Sequence, residues 1–237
     1  MRLAKPHVDV GFMTNDWERA ERFWRDDVGL PFEEWIRVGG GVRQYRFGCH
    51  GSVVKVNHAR HPLASQADAP TVYRALRIAS DRVTAPTALS HPDGVPVALV
   101  PTGHHDIVGI KITVASADPD EARRFWVDAL GADDLTSGDP DDNRYRLGDT
   151  LIRCVHEPGL APMSEREAVG LRYLTVQVFD VDAEHTRITG LGFPEAWAPL
   201  TLGTTARVSF VRDPDGGFVE ISQRASLTGP LPTGPTA

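Results

Sequence analysis

The sequence predicts an α+β fold of repeated βαβββ modules, and three observations point to it. First, Asp16-Trp-Glu-Arg-Ala-Glu-Arg-Phe-Trp24 aligns without gaps to Asp118-Pro-Asp-Glu-Ala-Arg-Arg-Phe-Trp126, with Asp, Ala, Arg, Phe and Trp coincident. Gly29 and Gly131 follow at the same distance, and Tyr45-Arg-Phe-Gly48 matches Tyr145-Arg-Leu-Gly148 at nearly the same offset. A duplicated unit explains this better than chance. Second, segments that alternate in period two, as half-buried strands do, flank these helical stretches. Third, His91-Pro-Asp-Gly94 and Asp213-Pro-Asp-Gly216 are matching turns, each delivering a short strand.

The elements follow in order. Residues 8–13 form a first strand, and Asp16 opens a helix over 16–28 that Gly29 closes in the left-handed conformation. Strands at 34–38, 42–47 and 52–57 complete the first module, with Gly39-Gly40-Gly41 as a hairpin turn. The second module has a strand near 72–79 and another at 95–100. Only about ten residues separate the first of these from its turn. That is too few for a helix and two strands, so the module is truncated. The third begins at 110–114. Asp118 as N-cap, Pro119 in the first turn and Glu121 completing a capping box predict a helix over 119–130, ended by Gly131. Strands at 143–147 and 150–155 follow. The fourth, over about 170–223, has a strand at 172–178, a helix over 181–189 capped by Asp180, and a last strand at 217–222. Phe23, Phe125 and the Trp after each belong to the buried helix stripes. Residues 58–70 and 101–106 read as linkers. The Pro/Gly/Thr-rich end reads as disordered. The expected division is an N-terminal domain 1–103, a C-terminal domain 104–225 and a tail 226–237.

Composition removes several classes. The net charge is −7 over 237 residues. There is no basic stripe of the kind that neutralises phosphates, so nucleic acid is not an expected partner. Arg19, Arg22 and Arg25 alternate with Glu18, Glu21, Asp26 and Asp27 as a solvated helix face. No apolar run of about 18 residues and no signal-peptide core occur. A cytoplasmic protein without membrane contact is expected. Cys49 and Cys154 are expected as free thiols. The expected partner is a small-molecule ligand, with a homodimer as an allowed assembly.

A strand, Asp-x-x-x-Ala-x-x-Phe-Trp on a helix, Gly, then strands closing with Asp213-Pro-Asp-Gly-x-x-x-Glu220 resembles the vicinal oxygen chelate superfamily, which groups glyoxalases, bleomycin resistance proteins and extradiol dioxygenases. The resemblance implies a glyoxalase-like fold with two open barrel-like clefts. It also implies metal ligands at the start of a module's first strand (His, Gln or Glu) and a Glu on its last strand. Counted from the shared Asp, those positions hold Asp9 and Lys55; Tyr73 or Arg74 and Ala98; Lys111 and Arg153; Tyr173 and Glu220. Only Glu220 matches a ligand type. A protonated Lys has no lone pair, and an extradiol iron needs two His and a carboxylate. No metal cofactor is therefore expected, with a divalent metal as the alternative.

Lys111, Tyr173 and Glu220 are the expected catalytic group. Lys111 would hold an anionic oxygen in place of the metal, and the other two would move protons. His7, Asp9, Lys55, Arg153, Trp35 and Trp197 are the expected substrate-binding residues. His7 shares a strand face with Asp9, so a His7/Asp9/Glu220 cluster is conceivable if modules one and four pair. The structural alternatives are an Asp9–Lys55 cross-strand ion pair, a Tyr173–Glu220 hydrogen bond, and core burial of the two Trp residues. His185 is expected to be solvated. The expected function is action on, or binding of, a small aromatic or carbonyl-containing metabolite without a metal, with lyase or isomerase-type chemistry. One alternative is a drug- or metabolite-sequestering protein; another is a divergent metal-dependent lyase or extradiol-type dioxygenase.

Overall fold

A computed structural model describes residues 1–137 and 143–232. The first module comprises β1 (Asp9–Thr14), α1 (Trp17–Arg22), β2 (Phe32–Gly39), β3 (Val42–Cys49) and β4 (Ser52–Ala59). The second has β5 (Tyr73–Ala79), β6 (Thr87–Ser90) and β7 (Pro96–Val100) and no helix, so it is truncated as expected. The third has β8 (Ile110–Ser116), α2 (Pro119–Arg123), β9 (Asp133–Asp134), β10 (Asn143–Leu147) and β11 (Thr150–His156). The fourth has β12 (Gly170–Gln177), α3 (Val181–Gly190), β13 (Glu195–Leu202), β14 (Ala206–Arg212) and β15 (Phe218–Arg224). In each module the first strand pairs in parallel with the last: β1 with β4, β5 with β7, β8 with β11 and β12 with β15.

The duplicated helices share an irregularity. Both widen into a π turn, over Phe23–Asp27 and Arg124–Ala129. Val28 N–H donates to Phe23 O, and Leu130 N–H to Phe125 O. The wider turn lets two adjacent large rings face the core. Phe23, Trp24, Phe125 and Trp126 are all buried, and the Phe–Trp rings meet edge to face in both copies, at 5.0 and 5.4 Å. Asp118 caps its helix by accepting from Asp120 and Glu121 N–H. The capping box does not close, because the Glu121 carboxylate turns to Arg124 instead.

The modules are interlaced rather than consecutive. The eight-stranded sheet runs β13-β14-β15-β12-β1-β4-β3-β2, and the seven-stranded sheet β6-β7-β5-β8-β11-β10-β9. The first and fourth modules share one sheet through the antiparallel β1–β12 pair, and the second and third share the other through β5–β8. This corrects the division into 1–103 and 104–225, since a boundary at 103 would part β5 from β8. Periodicity identifies strands but not their partners. A first strand with its outer edge unpaired accepts any complementary edge. The tail also differs from expectation: Ala225–Thr228 forms a helical turn, and residues 233–237 lie outside those described. No described helix is long and apolar enough to cross a membrane.

The last turn ties the sheets together. Asp215 Oδ1 accepts Ala117 N–H at the start of α2. Gly216 has φ +83°, and a Cβ there would fall 2.3 Å from Met163 O. Asp213 Oδ1 accepts N–H groups from Asp215 and Gly217 at 3.0 and 2.6 Å. Burial pushes the Asp213 carboxyl up to about 7. In the unfolded chain it ionises near pH ~4. Between those values the native state holds the proton and the unfolded state does not, so this group makes stability fall as pH rises. Asp213→Asn, which keeps the Oδ1 acceptor, is expected to be more stable than wild type by up to about 4 kcal/mol at pH 8 and equal near pH 4. Urea unfolding at several pH values measures this; parallel curves for the two proteins would refute it.

Candidate functional site

The eight-stranded sheet curls around a cleft, and strand register decides what faces it. Gly11 lies opposite Lys55 on one side and Tyr173 on the other. Thr175 is beside Glu220, Arg46 beside Lys55, and Gln44 beside Asn57. Because side chains alternate, these residues project from one face. Gly11 is required for space: a Cβ there would fall 2.1 Å from the Tyr173 ring, which lies across the bare backbone.

The cleft floor is a closed polar triangle. Lys55 Nζ donates to Glu220 Oε2 and to Thr175 Oγ1, each at 2.7 Å, and Thr175 Oγ1–H donates to the same Oε2 at 2.6 Å. Lys55 is 4% exposed. Burial pulls its pKa below the usual lysine range, opposed by the Glu220 and Asp9 charges. Beside it, the Tyr173 oxygen accepts from Gln44 Nε2 at 3.2 Å and Asn57 Nδ2 at 3.0 Å. Burial, and then the Glu220 charge, push the phenol above its ordinary value, so it stays protonated at neutral pH. With both lone pairs engaged, its O–H is left to donate elsewhere.

Above this floor lies a cavity of about 560 Å³ walled by Trp197, Leu200, Val208 and Phe210. Through Val38, Gln44, Leu202 and Glu220 it continues into a space of about 430 Å³ lined by Arg37, Arg46, Lys55 and Arg224. Trp197 is 45% exposed, and its ring stacks on Phe218 at 5.4 Å.

The expected residues do not all meet. Glu220, Tyr173, Lys55 and Trp197 line the cleft. Lys111 and Arg153 do not: they belong to β8 and β11 in the other sheet. There they border a cavity of about 240 Å³ with Arg77, His105 and Arg144. The charge assigned to Lys111 is held here by Lys55, which occupies the last-strand position of the module that pairs with the fourth. Asp9 does not pair with Lys55. It is fully buried, accepting from Lys5 Nζ at 2.6 Å and Val53 N–H at 2.8 Å. His7 Nδ1 lies 2.5 Å from Asp149 instead of joining Asp9 and Glu220. Tyr173 and Glu220 are neighbours without a mutual hydrogen bond. Trp35 is exposed on β2 with Arg43 against its ring. His185 is buried, with Nε2 2.7 Å from Glu195, rather than solvated. Sequence reading missed Thr175, Gln44, Asn57, Arg46 and Arg224. Stepping by two from Tyr173 and from Lys55 would have found Thr175 and Asn57.

The floor does not fit a divalent cation. Among the described residues no three His, Cys, Asp or Glu side chains converge. The Glu220 oxygen that would ligate already accepts an ammonium and a hydroxyl, and a cation placed there would meet the Lys55 charge.

Residues 110–221 match the model of the Glyoxalase/Bleomycin resistance protein/Dioxygenase superfamily. Among solved structures, glyoxalase I from Zea mays is similar over 94% of this chain and 92% of its own, with TM-score 0.70 and 14% identity. A "putative dioxygenase" from Bacillus subtilis is similar over 94% of this chain and 86% of its own, with TM-score 0.68 and 12% identity. At such identities the likeness is one of fold. No curated protein sequence matches.

Removing one partner of a buried ion pair strands the other charge. Lys55→Met is therefore expected to lower unfolding free energy by about 3–5 kcal/mol at pH 7. Lys55→Met combined with Glu220→Gln is expected to recover most of that loss. Denaturant unfolding of the four proteins in the cycle gives the coupling; a Lys55→Met protein as stable as wild type would show that the pair is not closed in solution.

Proposed function

Starting from a chain that has the glyoxalase-like fold and carries a Glyoxalase/Bleomycin resistance protein/Dioxygenase domain over residues 110–221, we propose that its eight-stranded sheet binds a small aromatic or carbonyl-containing metabolite and acts on it without a metal. The observation that carries this reading is the Lys55–Glu220–Thr175 triangle at the cleft floor. In the relatives that this chain resembles, a metal's positive charge would face the ligand's oxygens. Here a buried ammonium supplies positive charge at that depth, and a charge-assisted bond to an oxyanion is stronger than a neutral one.

The residues divide the work by chemistry. The protonated Tyr173 hydroxyl donates to a ligand carbonyl oxygen. Lys55 stabilises negative charge that develops on that oxygen. Glu220 Oε2 is taken by its neighbours, so Oε1 is the oxygen that accepts a proton from a ligand carbon or hydroxyl. This is lyase or isomerase-type chemistry, with one proton donor and one proton acceptor beside a bound carbonyl compound. A sequestering protein is the second reading. The wide aromatic wall of Trp197, Phe210 and Tyr173 favours it, since such a wall holds a planar ligand with no reaction required.

Two measurements test the proposal. Elemental analysis of mildly purified protein is expected to find no stoichiometric Fe, Mn, Ni or Zn. One equivalent of metal, lost on Glu220→Ala, would overturn the metal-free reading. Among aromatic carbonyl compounds that quench tryptophan fluorescence, Tyr173→Phe is expected to keep binding within about tenfold, because a single neutral hydrogen bond is worth ~0.5–1.5 kcal/mol. It should abolish turnover. Turnover undiminished by Tyr173→Phe removes the acid from the scheme, and absence of turnover in the wild-type protein, with binding intact, favours sequestration.

A further inference from the structure

Arg46 is the least satisfied charged group of the cleft. It is 3% exposed. Its Nη1 donates to Gln44 Oε1 at 3.1 Å, while Nε and Nη2 are buried without a hydrogen-bond partner. Those two nitrogens form the edge of a guanidinium that grips a planar carboxylate with two parallel bonds. Buried donors left unpaired are costly, and folded chains rarely keep them without a reason. Among the described residues, the carboxylate within ion-pair reach of that edge is poorly placed. Glu34 Oε1 is 3.3 Å from Arg46 Nε and 3.6 Å from Arg224 Nη2, aligned for neither, and its side chain is 48% exposed. Arg46 and Arg224 thus face each other across a single loosely held oxygen; burial, and then the Arg224 charge, pull the Arg46 guanidinium below its ordinary range, opposed by the Asp9, Glu34 and Glu220 charges. Arg37 and Lys55 line the same space, so positive charge exceeds negative there.

We propose that Arg46 and Arg224 form a carboxylate-binding subsite at this end of the cleft, that Glu34 stands where the ligand's carboxylate goes, and that the ligand is a small carboxylic acid with an apolar or aromatic body. The two ends of the cleft suit the two ends of such a molecule. The body lies against Trp197, Phe210 and Leu200, and the acid reaches Arg46 and Arg224 past the Lys55–Glu220 floor. Displacing Glu34 is easy, because an exposed ion pair of poor geometry contributes little. The incoming carboxylate completes the Nε and Nη2 bonds that Glu34 does not make. This inference rests on the reading of the cleft as a small-molecule site.

The test compares 4-phenylbutyrate with its neutral amide, using tryptophan fluorescence and calorimetry on the full chain. The acid is expected to bind at least roughly tenfold more tightly than the amide. Arg46→Met is expected to remove that difference while leaving amide affinity unchanged. Glu34→Gln, at an exposed position, is expected to strengthen acid binding and leave the amide alone; it decides the question even where Arg46→Met fails to fold. Equal binding of acid and amide overturns the subsite, and weakening of both by Trp197→Ala would then leave the cleft reading standing. Failure of both probes to bind overturns both. Loss of acid affinity in Glu34→Gln would make Glu34 a fixed partner of the arginines and also overturn the proposal.

Discussion

The antiparallel pairing of β1 with β12 sets Asp9 opposite Thr175, and the functional geometry hangs on it. Without that seam the first and fourth modules would be separate curved sheets with open edges. With it, β4 and β15 come to flank the same central pair, and Lys55 reaches Glu220 across 165 residues of sequence. The irregularity between Gly11 and Phe12 in this pairing coincides with the point where the Tyr173 ring crosses β1. A glycine is the only residue that leaves room for that crossing, so one backbone position couples the seam to the site.

The floor of the cleft illustrates how a buried charge is retained. Lys55 is deep enough that burial pulls its pKa below the usual lysine range. Glu220 and Thr175 give it an oppositely charged partner and a second acceptor in good geometry, which a buried ion pair needs to offset its desolvation. The same arrangement sets a carboxylate and an ammonium side by side at the cleft floor. Tyr173, Gln44 and Asn57 continue the network, and Asn57 Nδ2 also donates to Phe12 O. The polar groups are therefore cross-braced through the strands that carry them, which holds donors and acceptors in place before any ligand arrives.

The two clefts differ for a reason visible in the chain. The second module lacks a helix and one strand, so the seven-stranded sheet is shorter and its cavity is about 240 Å³ against about 560 Å³ in the other. The larger cleft gains its aromatic wall from β13 and β14, strands whose counterparts are reduced to β6 in the truncated module. A deletion in one module thus concentrates ligand-sized space in the sheet that combines two full modules.

Much of the fold was legible in the sequence because its signals are local. Gly29 and Gly131 adopt positive φ where the helix ends require it, the Phe-Trp pairs are buried as the helix motif implies, although a π turn is what brings both adjacent rings inward, and Asp213-Pro-Asp-Gly216 turns where Pro and Gly permit. Glu220 and Tyr173 were visible for the same reason, as positions counted from a motif within one module. Partner choice was not legible. Lys55 stands at the last-strand position of the first module and Lys111 at the first-strand position of the third, and nothing local says which of the two lysines meets Glu220. That distinction is made by which strand edges pair, a long-range event decided by the combined burial of both modules' apolar faces. Asp9 shows the same limit: its charge and position suggested Lys55, but the folded backbone brought Lys5 and Val53 N–H closer. The sequence by itself determined the modules, their caps and turns, and the chemical types at each strand position. Only the tertiary structure decided which of those positions share a cleft, because hydrogen-bonded edges, unlike side-chain periodicity, carry no record of their partner.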